Sequence, residues 1–113
     1  MKIKTSELKD LALDWAVVRA NYEINFEEVW RNFRNECGYS YDWAQGGPII
    51  EREEIAVRRT YEDTGWTASK ATAPHFMTVF EYGPTPLIAA MRCYVASRLG
   101  DEVEVPDSIG GAA

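Results

Sequence analysis

The chain has 113 residues with 18 acidic and 12 basic side chains, a formal net charge of −6. At 46% hydrophobic and 12% aromatic it is too apolar for a disordered chain, and charge interrupts its apolar runs before they reach membrane-spanning length. The length suits one domain, the negative balance argues against direct nucleic-acid binding, and two cysteines, Cys37 and Cys93, supply neither a disulfide scaffold nor zinc-ligand spacing.

The opening Met1-Lys2-Ile3-Lys4-Thr5 is basic and runs into charged sequence without the apolar core of a secretory signal, which implies a reduced, cytosolic setting. A helix is predicted from about Ser6 to Asn21, capped by Thr5 or Ser6, with Glu7 and Asp10 in its first turns. Leu8, Leu11, Ala12, Trp15, Val18 and Tyr22 form its apolar face, opposite Glu7, Asp10, Asp14 and Asn21. Residues 23–38 suit either an irregular insertion or a short helix that starts after Asn25, carries Phe26, Val29, Trp30 and Phe33 as its stripe, and stops at Gly38. From Tyr39 to Ile50 aromatic residues flank Gly46-Gly47-Pro48, a triplet that predicts a tight packed loop and argues against helix.

Strand-like alternation follows at Ile55–Tyr61, Trp66–Ala71 and Phe76–Tyr82, with Glu62-Asp63-Thr64-Gly65 as a hairpin turn and Pro74 disfavouring ladder bonds ahead of the third strand. In that strand Phe76, Thr78 and Phe80 alternate with Met77, Val79 and Glu81. A long helix then begins at Thr85 as N-cap and Pro86 in the first turn, and runs through Leu87, Ile88, Met91, Val95 and Leu99 to a stop at Gly100. Apolar on nearly every side, it is the expected centre of the core. Val103 and Val105 ahead of Pro106 suggest a short extended piece, and the tail 107–113 is expected to be flexible.

The fold class is therefore α+β: one domain over residues 1–106, with a small antiparallel sheet packed against a long C-terminal helix and an N-terminal helix beside it. The expected core comprises Leu11, Trp15, Val18, Trp66, Phe80, Ile88, Met91, Val95 and Leu99.

Catalytic chemistry finds little support. His75 is the single histidine and has no elbow serine to partner it, Cys93 lies inside the apolar helix, and Cys37, expected to be the more exposed, has only Arg34 as a basic neighbour. The run Glu51-Arg52-Glu53-Glu54 reads as a solvated charged segment with local ion pairs, since neighbouring carboxylates do not face each other across a cleft. No metal-ligand spacing is present, and Gly46-Gly47-Pro48 lacks the lysine and hydroxyl of a phosphate loop. One constellation is more suggestive. Thr85 opens a helix whose first N–H groups favour an anion, Arg52 and Arg92 add fixed charge, Trp43 and Trp66 offer faces to a planar ring, and Gly46 and Gly47 allow close backbone approach. The competing reading makes both tryptophans core and pairs Arg92 with a buried acid, Asp42 or Glu51.

Three segments resemble the NinX-like family of small proteins encoded by lambdoid and related tailed phages. They are Leu13-Asp14-Trp15-Ala16-Val17, the run Tyr41-Asp42-Trp43-Ala44-Gln45-Gly46-Gly47-Pro48-Ile49-Ile50-Glu51-Arg52, and Gly83-Pro84-Thr85-Pro86-Leu87-Ile88-Ala89-Ala90-Met91-Arg92-Cys93-Tyr94-Val95. Residues 19–38 carry nothing of the pattern. The resemblance implies a phage protein acting in the cytoplasm of an infected bacterium and dispensable for building virions, and it supplies no catalytic residues.

Two functions are weighed. The first is a non-enzymatic accessory protein, without cofactor, that binds or sequesters a small anionic, nucleotide-like ligand in a pocket enclosed by Trp43, Arg52, Thr85 and Arg92. The second is an acidic inhibitor of a host protein, docking through Phe26, Trp30 and Phe33 of the 23–38 segment. Either is compatible with a homo-oligomer.

Overall fold

A computed structural model of the chain describes residues 1–60, 64–72 and 77–110. In chain order it contains β1 (Lys2–Lys4), a 3₁₀ turn (Thr5–Glu7), α1 (Asp10–Asn21), α2 (Phe26–Phe33), a second 3₁₀ turn (Arg34–Glu36) and α3 (Trp43–Arg52). Then follow β2 (Ala56–Arg59), β3 (Trp66–Thr72), β4 (Met77–Gly83), α4 (Pro86–Leu99), β5 (Glu102–Glu104) and a last helical turn, α5 (Asp107–Gly110). Two antiparallel sheets result, β1–β5 and β2–β3–β4, and the fold is α+β.

Helix α4 is the centre, and local sequence explains it. Thr85 Oγ1 accepts the Ile88 N–H at 3.1 Å, Pro86 fixes the first turn, and Gly100 ends the helix at φ 91°. Leu87, Met91, Tyr94 and Val95 are buried along its length. Close approach to the sheet depends on Gly83, where a Cβ would lie 2.5 Å from the Ala89 nitrogen.

Helix α1 starts at Asp10, later than the Ser6 predicted, because the preceding residues are used elsewhere. Lys2–Lys4 pair with Glu102–Glu104, and Thr5 is tied to the far end of α4 instead of capping α1. Its N–H donates to Asp101 O at 2.7 Å and its hydroxyl to Gly100 O at 2.6 Å. The buried surface of α1 is also broader than the predicted stripe. Leu13, Asp14, Ala16 and Val17 are buried with Trp15 and Val18, while Leu11 is 38% exposed and leaves the core.

The segment predicted as a loop around Gly46-Gly47-Pro48 is instead α3. Asp42 caps it, accepting the Ala44 N–H at 2.9 Å, and Pro48 sits in the helix without an N–H to donate to Ala44 O. Tertiary packing outweighs the poor intrinsic propensity: Gly46 lies against Leu87 of α4, and a Cβ there would also come within 3.0 Å of Tyr39 O. Residues 23–38 resolve as α2 and the turn after it. Trp30 is buried and Phe26 meets Trp15 edge to face at 6.1 Å, but Phe33 is 53% exposed.

The three-stranded sheet turns Val57, Ala68 and Val79 toward α4. The strand alternation is as predicted, but Phe80 faces away and is 62% exposed, so it does not belong to the core. Trp66, Ile88 and Leu99 pack against the core partly buried. The hairpin residues 61–63, and Pro74, His75 and Phe76, lie outside the described residues. At the C-terminal end, the first residues of the segment expected to be flexible form α5, with Ile109 buried and Asp107 accepting the Met1 amine at 2.9 Å.

Candidate functional site

The predicted constellation divides into two groups on different sides of α4. Helices α3 and α4 run in the same direction, Gly46 against Leu87 and Arg52 against Tyr94. Along this seam Gly46 serves packing, Gly47 has no atom within 4 Å of an added Cβ, and Trp43 is 54% exposed. Arg52 donates to Glu53 Oε2 at 2.8 Å, Asn21 Oδ1 at 3.0 Å and the Tyr94 hydroxyl at 3.3 Å. Glu53, expected in a solvated run, is nearly buried and also gathers Lys70 at 3.4 Å and Arg98 at 3.5 Å. Burial works to raise its pKa, but the Arg52 hydrogen bond and the fields of Arg98 and Lys70 outweigh this and hold it below the ordinary value. This group ties α3, β3 and α4 together.

Arg92 points elsewhere, since Arg92 and Tyr94 stand about 200° apart around the helix. Its partners are neither Asp42, which caps α3, nor Glu51. Nε donates to Leu8 O at 2.8 Å and Nη1 to Tyr82 O at 2.9 Å, so backbone carbonyls satisfy it. Burial lowers its pKa, and the nearby Glu81 acts against that. The Glu81 carboxyl is in turn raised by burial, with Arg92 pulling it down.

The guanidinium lines a cleft of about 260 Å³ shared with Thr60, Thr64, Trp66, Tyr82 and Pro84. The Thr60 and Thr64 hydroxyls lie 3.2 Å apart, and Arg59 sits 5.4 Å over the Trp66 ring. Trp66 and Arg92 are thus brought together. Thr85 follows Pro84 in the chain, with its hydroxyl occupied by the helix cap. Trp43 and Arg52 do not join them. Sequence reading missed Thr60, Thr64 and Tyr82; the threonines belong to what reads only as hairpin chemistry.

A larger cleft of about 410 Å³ lies between Trp15, Phe26, Arg19, Glu27, Glu104 and Asp107. Its three carboxylates outnumber the two cations, Arg19 and the Met1 amine, and the amine is already held by Asp107, which suits the cleft poorly to an anion. Neither cysteine is poised as a nucleophile. Burial raises Cys37, with Asp14 and Glu36 adding to it, and pushes Cys93 up to about 11. Cys37 is buried, contrary to expectation.

These features define a small α+β protein with a cleft where its sheet meets its central helix, and among the described residues no helix is long and apolar enough to cross a membrane. The chain belongs to the Bacteriophage P22 NinX family, whose model matches residues 4–98. That span includes 19–38, where the sequence alone shows no family pattern. No match was found among curated proteins. Membership makes this a phage accessory protein.

Proposed function

We propose that this protein binds a small anionic, nucleotide-like ligand in the cleft between Trp66 and Arg92, without turning it over, in the cytoplasm of the infected bacterium. The observation that carries the reading is the convergence of a cationic group, an aromatic ring and a hydroxyl pair in one concave site. Two of the Arg92 N–H groups are engaged by carbonyls, which fixes the guanidinium while leaving further donors for an anion. A planar ring then finds Trp66 or Tyr82, and a sugar hydroxyl finds Thr60 or Thr64.

The test is a titration of the isotope-labelled protein with nucleoside monophosphates and, separately, inorganic phosphate. Saturable amide shifts confined to Thr64–Trp66 and Gly83–Arg92 are expected with the nucleotide. Shifts centred on Arg52 and Arg98, or none at millimolar ligand, would refute the assignment.

A second reading, an acidic inhibitor of a host protein, draws support from Ile24 and Phe33, exposed at 96% and 53% close to Glu23, Glu27 and Glu28. Of the patch first expected, only Phe33 remains available, because Trp30 is buried and Phe26 packs on Trp15.

A further inference from the structure

Apart from Tyr82, which also borders the cleft, the outer face of β2–β3–β4 takes no part in the cleft reading, and none of the described elements covers it. Register sets its composition. One row across the strands is Arg58–Thr67–Tyr82 and the next is Ala56–Ser69–Phe80, with Ala71 beside Thr78 beyond. Phe80 and Tyr82 are 62% and 66% exposed. Although the chain carries 18 acidic residues, none occupies an outward position on these strands among the described residues, and Arg58 is the single charge there.

We propose that this face is a self-association surface, on which a second copy of the chain packs about a twofold axis running along β3. Two arguments select a second copy over other occupants. The first is charge: two molecules of net charge −6 repel through their acidic faces, whereas this face lets them approach without opposing carboxylates. One arginine is too little to hold a polyanion, and a face without carboxylates does not select a basic partner.

The second argument is geometric. A twofold axis along the middle strand lays each β2 over the partner's β4 in the same row. Ala56 then opposes Phe80 of the second copy, small against large, and the Arg58 guanidinium opposes the Tyr82 ring, twice each by symmetry. Sheets packed this way keep their strands within about 30° of each other, so the rows nearest the axis stay opposed. Three short strands cover less than the roughly 800 Å² per partner of a standard interface, so the dimer is weak and exchanges rapidly, with a Kd on the order of 10–100 µM.

The experiment is sedimentation equilibrium of the full chain over roughly 5–500 µM, a range that brackets that affinity. Wild-type protein is expected to show a reversible monomer–dimer equilibrium. Phe80→Ala should weaken it at least about tenfold while leaving the thermal midpoint unchanged, because the ring is exposed. Ala56→Phe alone should weaken it as well, by meeting the partner's Phe80. The double variant Ala56→Phe/Phe80→Ala exchanges large for small and should recover most of the association. Neither Ala56 nor Phe80 lines the Trp66–Arg92 cleft, so these substitutions leave the cleft lining intact, and with no ligand added the readout is association alone. A chain that stays monomeric throughout, a dimer indifferent to Phe80→Ala, or a double variant no tighter than the singles would overturn the proposal. A monomer showing Phe80-dependent binding of a single-stranded oligonucleotide or another protein would also overturn it, and would give the face to that occupant.

Discussion

Glu54 is a non-glycine residue at φ 55°, directly after the α3 C-cap Glu53. Its N–H donates to Glu51 O at 3.3 Å and the Ile55 N–H to Ile50 O at 3.0 Å, the paired bonds of a Schellman ending that normally takes glycine at this position. Glu54→Gly should therefore stabilise the protein by about 0.5–1 kcal/mol, seen as a higher urea midpoint, while Glu54→Ala should not. Arg92 is the opposite case. Removing its guanidinium leaves Leu8 O and Tyr82 O without their donor and takes a nearby positive charge from the partly buried Glu81, but it breaks no direct ion pair among the described residues. Arg92→Ala is expected to cost about 1–3 kcal/mol, short of the roughly 3–5 kcal/mol of a broken buried ion pair. A loss above that range in chemical denaturation would show that the carbonyl partners understate its role. Backbone partners of this kind leave no mark in the sequence, which is why a search for an acid beside Arg92 names Asp42 and Glu51 and misses the solution.

Among the elements, legibility follows how local the determinants are. Helix α4 is read correctly from Thr85 to Gly100 because cap, first-turn proline and stop all lie within the element. Helix α3 is misread because its cause is remote: Gly46 is helical where Leu87 of α4 presses on it. Strand β1 is three residues long and its partner is at the other end of the chain, so no periodicity announces it. For Phe80 the alternation is legible, but which face is buried depends on where α4 lies. Trp66 and Arg92 do line one cleft, whereas grouping them with Trp43 and Arg52 presumes a loop that is in fact a helix on another side of α4. The two glycines of α3 test this account. Gly47→Ala meets open space and should gain up to about 1 kcal/mol in helix propensity. Gly46→Ala must displace Leu87 or Tyr39 O and should lose about 1–3 kcal/mol despite the same gain. Equal effects in denaturant unfolding would refute the packing role given to Gly46.

For the molecule as a whole, the family motifs interlock. Asp14 of the first accepts the Ser40 N–H at 2.8 Å and fixes the segment leading into the second, whose Gly46 packs on Leu87 of the third. The central joint is a buried carboxyl. Burial raises Asp14 to about 6, against the opposing hydrogen bonds from Ser40. Between the unfolded value near 3.8 and about 6 the folded state holds a proton that the unfolded chain has released, so this group favours folding below that window. The advantage is lost as pH rises through 6, up to about 3 kcal/mol in all. Glu53 has the opposite sign: its pKa is lowered, so its contribution is present at neutral pH and disappears as pH falls through the folded value. The Asp14 loss is therefore already under way at pH 5 and levels off above about pH 6, while the Glu53 contribution falls away on the acid side. The neutral-side decline belongs largely to Asp14, and Asp14→Asn, which keeps an oxygen for the Ser40 N–H, should flatten it between pH 5 and 7.5 while leaving the acid side intact. Urea unfolding of both proteins at the two pH values checks this. If wild type and variant decline equally, the slope arises from the general repulsion of a chain with net charge −6, and Asp14 does not control it.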